Sequence, residues 1–82
     1  MGKTDKIFNK IVFGKSDNNI SFVDLCSLLE KMEFKKRIKG DHYIFYHIDI
    51  AEILNLQPKG TNAKAYQVKQ VREVILKYKL EV

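Results

Sequence analysis

Residues 34–47, FKKRIKGDHYIFYH, decide the fold because they read as two strands joined by a tight turn. Segment 42–47 is rich in aromatic side chains and contains neither glycine nor proline, a composition typical of a strand. Gly40-Asp41 supplies the turn, and the charged segment before it is also compatible with a strand. The pattern predicts a β-hairpin with His42 directly after its turn.

Helices are predicted on both sides of this hairpin. Ser21 stands as an N-cap with Asp24 three positions later, which approximates a capping box. An apolar stripe at helical spacing follows, comprising Phe22, Leu25, Cys26, Leu29 and Met32. Because Cys26 lies within that stripe, we expect it to be a buried apolar residue rather than a catalytic thiolate. A second stripe predicts the final helix from near Tyr66 to Tyr78, with Val68, Val71, Ile75 and Tyr78 on one face.

The remaining segments complete an α-α-β-β-β-α order. A first helix is predicted at about Asp5–Phe13, a third strand at Ile53–Gln57, and a basic, flexible connection at 58–65. This order predicts an α+β domain whose three-stranded antiparallel sheet is covered on one face by helices. A chain of 82 residues fits one globular domain, with 1–20 as a helical extension and loop and 21–82 as the main unit.

The net charge of +5 is concentrated in two segments. Residues 31–40 and 59–79 are strongly basic, whereas 41–58 contain no lysine or arginine. Two such segments either solvate the surface or converge on one face that follows a phosphate backbone. For the second case the candidate phosphate contacts are Lys36, Arg37, Lys39, Lys59, Lys64, Lys69 and Arg72.

Several classes of protein are disfavoured by composition. A single cysteine allows neither an intrachain disulfide nor a multi-cysteine metal site. No apolar run approaches the ~18 residues of a membrane span, and the N-terminal residues are too polar for a secretory signal. We therefore expect a cytoplasmic protein that contacts no membrane and needs no metal or other cofactor.

Histidine is the residue type best suited to general acid–base chemistry, because imidazole ordinarily titrates near neutral pH. His42, at the hairpin turn between the basic segments, is the candidate general acid or base; otherwise it simply hydrogen-bonds its neighbours. His47 lies five residues further along the strand, so the two histidines are expected on opposite faces. Three aromatic residues are candidates either for base stacking or for packing: Tyr43, Phe45 and Tyr46.

The ordered motifs of residues 21–80 resemble the HicA toxin family. The resemblance runs through LLEKMEF at 28–34, KGDHYIF at 39–45, LNLQPKG at 54–60 and AKAYQVKQVR at 63–72. The first of these is similar to the family's leucine-rich helix and the last to its final-helix signature. One departure is that Asp41 stands where the family's turn usually has serine before the histidine. The N-terminal helix resembles an extension found in one subgroup.

This resemblance implies a double-stranded-RNA-binding-like fold and a toxin of a type II toxin–antitoxin pair. Such a toxin is an endoribonuclease (mRNA interferase) that cleaves mRNA and is silenced by a HicB-type antitoxin, with His42 as catalytic residue. Asp41 either weakens RNA binding or tunes His42 by orienting or charging its ring. Two alternatives stay open: a non-catalytic RNA-binding module of the same fold, and a protein-interaction domain that uses the first helix. A homo-oligomer is possible but nothing in the sequence indicates one.

Overall fold

The computed structural model describes residues 3–14 and 16–82, with the backbone alone for Lys3. The helices are α1 (Lys3–Phe13), α2 (Phe22–Lys31) and α3 (Ala65–Tyr78), and a short 3-10 turn covers Asp17–Asn19. The strands are β1 (Lys35–Lys39), β2 (His42–His47), β3 (Ile50–Leu56), β4 (Pro58–Lys59) and β5 (Asn62–Ala63). The fold is therefore α+β, as the sequence predicts.

The predicted β-hairpin is confirmed. β1 pairs antiparallel with β2, and Lys39 faces His42 across the turn. Gly40 turns the chain with a positive φ of 63°, a conformation that glycine adopts without the steric cost of a Cβ atom. The turn thus fixes the register that places His42 at the first position of β2.

β3 completes the predicted three-stranded antiparallel sheet, in the order β1-β2-β3. It begins at Ile50, three residues before the predicted start, and pairs with β2 through Phe45 opposite Leu54 and Tyr43 opposite Leu56. The register shifts between Phe45 and His47, so one irregularity lies near the β2–β3 turn. That turn follows directly, since His47 pairs with Ile50.

The apolar core of the described residues lies between the sheet and the helices. Ser21 caps α2 as predicted, because its Oγ accepts a hydrogen bond from the Asp24 backbone N–H at 3.4 Å. Cys26 is buried, and that burial raises the pKa of its thiol to about 11, so the thiol stays protonated. The side chains that are almost completely buried come from α1, α2 and α3, from β2 and β3, and from Ile20 just before α2: Ile11, Ile20, Leu25, Leu28, Leu29, Phe45, Leu56, Val68 and Val71.

The N-terminal helix is part of this core. Ile7 and Ile11 are buried in the same cluster as the residues of α2 and α3, and Phe8 and Val12 pack against it. The apolar face of α1 formed by these residues is therefore packed against the core. None of the helices in residues 3–14 and 16–82 is long and apolar enough to cross a membrane.

The prediction of a flexible connection at 58–65 is wrong. β4 and β5 form a second antiparallel hairpin around Gly60, which has a φ of 64°. The Ala63 N–H donates to the Ile20 carbonyl at 2.8 Å, and the Phe22 N–H donates to the Thr61 carbonyl at 3.0 Å. These backbone bonds fix the hairpin against the start of α2, and α3 begins two residues after it.

Arg72 joins three distant segments. Its Nη1 donates to Asp17 Oδ1 at 2.9 Å and to the Ile11 carbonyl at 3.3 Å, near the C-terminal end of α1. Its side chain is 17% exposed, and its hydrogen bond to Asp17 raises the pKa of the guanidinium. A Cβ atom at Gly14 would lie 3.0 Å from this guanidinium, so glycine leaves room for it. Arg72, a predicted phosphate contact, is thus hydrogen-bonded within the fold.

We predict that Arg72→Ala lowers the free energy of unfolding by about 2 kcal/mol, because hydrogen bonds to charged groups are lost and Asp17 keeps its charge without this partner. Urea unfolding followed by circular dichroism measures the change. Lys69→Ala, at an exposed position of the same helix, is the matched control and should change stability little. Equal losses in the two variants would contradict the structural role of Arg72.

Candidate functional site

The sheet has one face covered by helices and one face open. In a strand, successive side chains point to opposite faces, and residues paired across strands share a face. Tyr43 packs edge-on against Phe22 of α2 and Phe45 is fully buried, so these two define the covered face. The open face then carries the alternate residues of the hairpin, which are Lys35, Arg37, Lys39, His42, Ile44 and Tyr46.

β3 extends this open face by two side chains. Asn55 lies opposite Ile44 in the register, and its side chain reaches His42. Ile53 is exposed and lines a shallow groove with Arg37, Ile44 and Tyr46. The open face therefore combines a polar end at His42 with an apolar groove further along the strands.

His42 is held by an amide on the neighbouring strand. Its Nδ1 lies 3.1 Å from Asn55 Oδ1, and because a carbonyl oxygen only accepts, His42 Nδ1 carries the hydrogen of this bond. In the neutral ring this leaves Nε2 with its lone pair. The side chain is 48% exposed, so a ligand on the open face can reach Nε2.

Asp41 lies close to the free nitrogen of His42. Asp41 Oδ1 is 3.8 Å from His42 Nε2, a distance for charge attraction but too long for a hydrogen bond. The hydrogen bond that Gln57 Nε2 donates to Asp41 Oδ2, at 2.7 Å, is the main reason that the pKa of Asp41 lies below its usual value. The charges of His42 and Lys64 act in the same direction. Asp41 thus places a negatively charged carboxylate beside the free nitrogen of His42.

Gln57 links this carboxylate to a lysine. Its Oε1 accepts a hydrogen bond from Lys64 Nζ at 3.0 Å, while its Nε2 binds Asp41. The Gln57 side chain therefore bridges the Asp41 carboxylate at the hairpin turn and the Lys64 ammonium at the start of α3 by two hydrogen bonds. This arrangement brings Lys64 to the His42 end of the sheet, 22 positions later in the chain.

Gln67 anchors this end of β3 to α3. It is 3% exposed, and its Oε1 accepts from the Gln57 backbone N–H at 3.0 Å. Its Nε2 donates to the Asn55 carbonyl and to the Tyr66 hydroxyl, each at 3.4 Å. Both residues that orient the His42–Asp41 pair, Asn55 and Gln57, are therefore fixed through one buried amide.

The predicted basic residues lie at several different places in the fold. Arg37 and Lys39 lie on the open face, and Lys64 joins the Asp41–Gln57 chain. Lys36 points to the covered side, where it binds Glu30 of α2 at 3.3 Å. Lys59 and Lys69 are exposed on β4 and α3, and Arg72 binds Asp17.

The second histidine lies away from the first. His47 packs edge-on against buried Phe34, with 5.1 Å between the ring centroids, and its Nδ1 accepts from the Asp49 N–H at 3.0 Å. It belongs to the β2–β3 turn and to the covered side of the sheet. The expectation of opposite faces agrees with these contacts.

Sequence reasoning missed Asn55, Gln57 and Gln67. Gln67 leaves a signal, because it is a polar residue directly before Val68 in the apolar stripe of α3, and a polar side chain there needs internal partners. Asn55 and Gln57 leave a weaker one, since they alternate with Leu54 and Leu56 and so mark the polar side of β3.

Comparison with known proteins identifies no relative of this chain. No protein-family model, no curated protein and no solved structure matches the chain. The site is therefore interpreted from its own geometry.

We predict that neutral His42 carries its proton on Nδ1, because only that tautomer donates to Asn55. The ¹⁵N chemical shifts of the two ring nitrogens, measured at alkaline pH, distinguish the tautomers. In Asn55→Leu the acceptor is lost, and the Nε2-protonated form should become dominant. His47, whose Nδ1 accepts a hydrogen bond, is the internal control and should be protonated on Nε2. Identical His42 spectra in the parent and the variant would contradict the assignment.

Proposed function

We propose that this protein is a HicA-like toxin of a type II toxin–antitoxin pair, a metal-independent endoribonuclease that cleaves mRNA with His42. The observation that carries the proposal is the position of His42: exposed on the open face, fixed through Nδ1, and facing Lys39 across the hairpin. An imidazole with one nitrogen held and the other free is suited to proton transfer.

The reaction fits the groups at this end of the sheet. His42 Nε2 takes the proton of the RNA 2′-OH, the 2′-oxygen bonds to phosphorus, and the bond from phosphorus to the 5′-oxygen breaks. The 5′-oxygen takes a proton from solvent, and the products are a 2′,3′-cyclic phosphate and a 5′-hydroxyl. Lys39 supplies positive charge for the negatively charged transition state. Asp41 stabilises the imidazolium formed when Nε2 takes the proton.

The fold supports the same proposal. From α2 onward the order is α-β-β-β-α with an antiparallel sheet covered on one side, apart from the small β4–β5 hairpin. We propose that this part is of the double-stranded-RNA-binding type and that α1 is the extension. A HicB-type antitoxin would silence the toxin by covering the open face. Because Lys35, Arg37 and Lys39 are exposed there, its matching surface should be acidic.

One observation favours a second candidate, a non-catalytic RNA-binding module. Asp41 is a carboxylate near the free nitrogen of His42, and it repels a phosphate that approaches that nitrogen. The third candidate, a protein-interaction domain that docks through the first helix, loses its main support, because Ile7 and Ile11 of α1 are buried in the core.

We predict that the purified protein cleaves single-stranded mRNA in EDTA, and that His42→Ala lowers the cleavage rate by on the order of 10²- to 10⁴-fold because the proton acceptor is lost. His42→Gln keeps a side-chain donor for Asn55 and should be equally inactive if the proton transfer is what matters. Unchanged unfolding curves show that both variants are folded.

Induced expression is the cellular counterpart of this assay. The parent should arrest growth and His42→Ala should not, at matched protein levels. Loss of cleavage in EDTA that Mg²⁺ restores would contradict the metal-independent mechanism. RNA binding without cleavage by the parent would favour the non-catalytic module.

A further inference from the structure

The groove on the open face has no role in the proposed chemistry. Tyr46 is 38% exposed and Ile53 is 66% exposed, and they line the groove with Arg37 and Ile44. The two other aromatic residues of β2 are used in the core, since Tyr43 packs on Phe22 and Phe45 is buried. An exposed aromatic ring between aliphatic residues and a guanidinium is suited to a flat, electron-rich ligand.

Positive charge runs along one side of this groove. Lys35, Arg37 and Lys39 alternate on β1, whose residues are all exposed, so neighbouring cations are about 7 Å apart along the strand. That interval is close to the spacing of phosphates in an extended single strand. Glu52, an acidic residue of β3, points to the covered side, where it accepts from Lys77 at 2.7 Å and Tyr78 at 2.5 Å. The cationic row is therefore not neutralised by Glu52.

The row and the groove both lead to His42. Lys39 faces His42, and Tyr46 lies four residues further along β2, about 13 Å away for an extended strand. A polynucleotide aligned with the row would place its backbone at Lys35, Arg37 and Lys39 and a base at Tyr46. The faces of paired and stacked bases are hidden in a duplex, so only an unpaired base can stack on this ring.

We propose that the open face holds an unpaired RNA segment, with one base stacked on Tyr46 in the groove and the phosphates along Lys35, Arg37 and Lys39 toward His42. This subsite rests on the proposed function for its link to cleavage. Tyr46 binds and positions the strand and takes no part in proton transfer. Charge and stacking together select a single-stranded polynucleotide rather than an acidic protein.

The test measures binding without cleavage. A fluorescent 2′-O-methyl RNA of mixed sequence cannot be cut, because its 2′-oxygen is blocked, and it is titrated with the protein at low salt. Tyr46→Ala should weaken binding by about tenfold, the usual effect of removing one stacking ring. Tyr46→Phe keeps the ring and should bind like the parent. Phe13→Ala, which removes an exposed aromatic ring at the end of α1, is the matched control and should have no effect.

Two further probes separate stacking from charge. The same sequence annealed to its complement should bind more weakly than the single strand and should not respond to Tyr46→Ala. Polyglutamate should bind through charge alone and should be equally insensitive. Single-strand binding that does not change in Tyr46→Ala, or a duplex that binds as tightly as the single strand, would overturn the subsite.

The outcome is separable from that of the proposed function. If Tyr46→Ala weakens binding but the parent does not cleave natural RNA, the subsite stands and the catalytic proposal fails. If the parent cleaves RNA and Tyr46→Ala binds the blocked strand normally, catalysis stands and the subsite fails.

Discussion

Every second residue of β2 and β3 points into a core that lies on only one side of the sheet. Burying a large side chain such as Phe45 contributes about 1.5–3 kcal/mol, and with Leu54 and Leu56 it fixes which face the helices cover. A shift of one residue would expose these side chains, so the register is strongly specified. The same alternation places His42, Ile44 and Tyr46 on the opposite face of the sheet. The composition of the open face is therefore a consequence of which residues are buried in the core.

Rigidity at the His42 end comes from amides rather than from the apolar core. Gln67 is buried and satisfies the backbone at Asn55 and Gln57, and those two side chains in turn hold His42 and Asp41. A buried amide left without partners costs about 1–3 kcal/mol, so the network forms as a unit. In this way α3, far along the chain, determines the orientation of a residue at the hairpin turn.

Local pattern predicted most of the fold and part of the site. The hairpin at 35–47, the Ser21 cap and the stripes of α2 and α3 are encoded in neighbouring residues, and the structure has them near their predicted bounds. The β4–β5 hairpin was not predictable in this way, because Pro58-Lys59-Gly60-Thr61 reads as a loop and its backbone bonds go to Ile20 and Phe22. The intramolecular partners of Arg72 were not predictable for a similar reason, since Asp17 lies 55 positions earlier. His42, Asp41 and Lys64 were named as candidates from sequence, whereas the three amides that hold them together depend on contacts between distant segments.

The most direct test of the central claim, that the open sheet face is the RNA surface, is amide chemical-shift mapping. ¹⁵N-labelled protein is titrated with a 2′-O-methyl single-stranded RNA, and the perturbed residues are placed on the structure. The account predicts that the largest changes lie on β1, β2 and β3, around Arg37, His42, Tyr46 and Asn55, with little change in α1. Changes confined to the helices, with the strands unaffected, would contradict it.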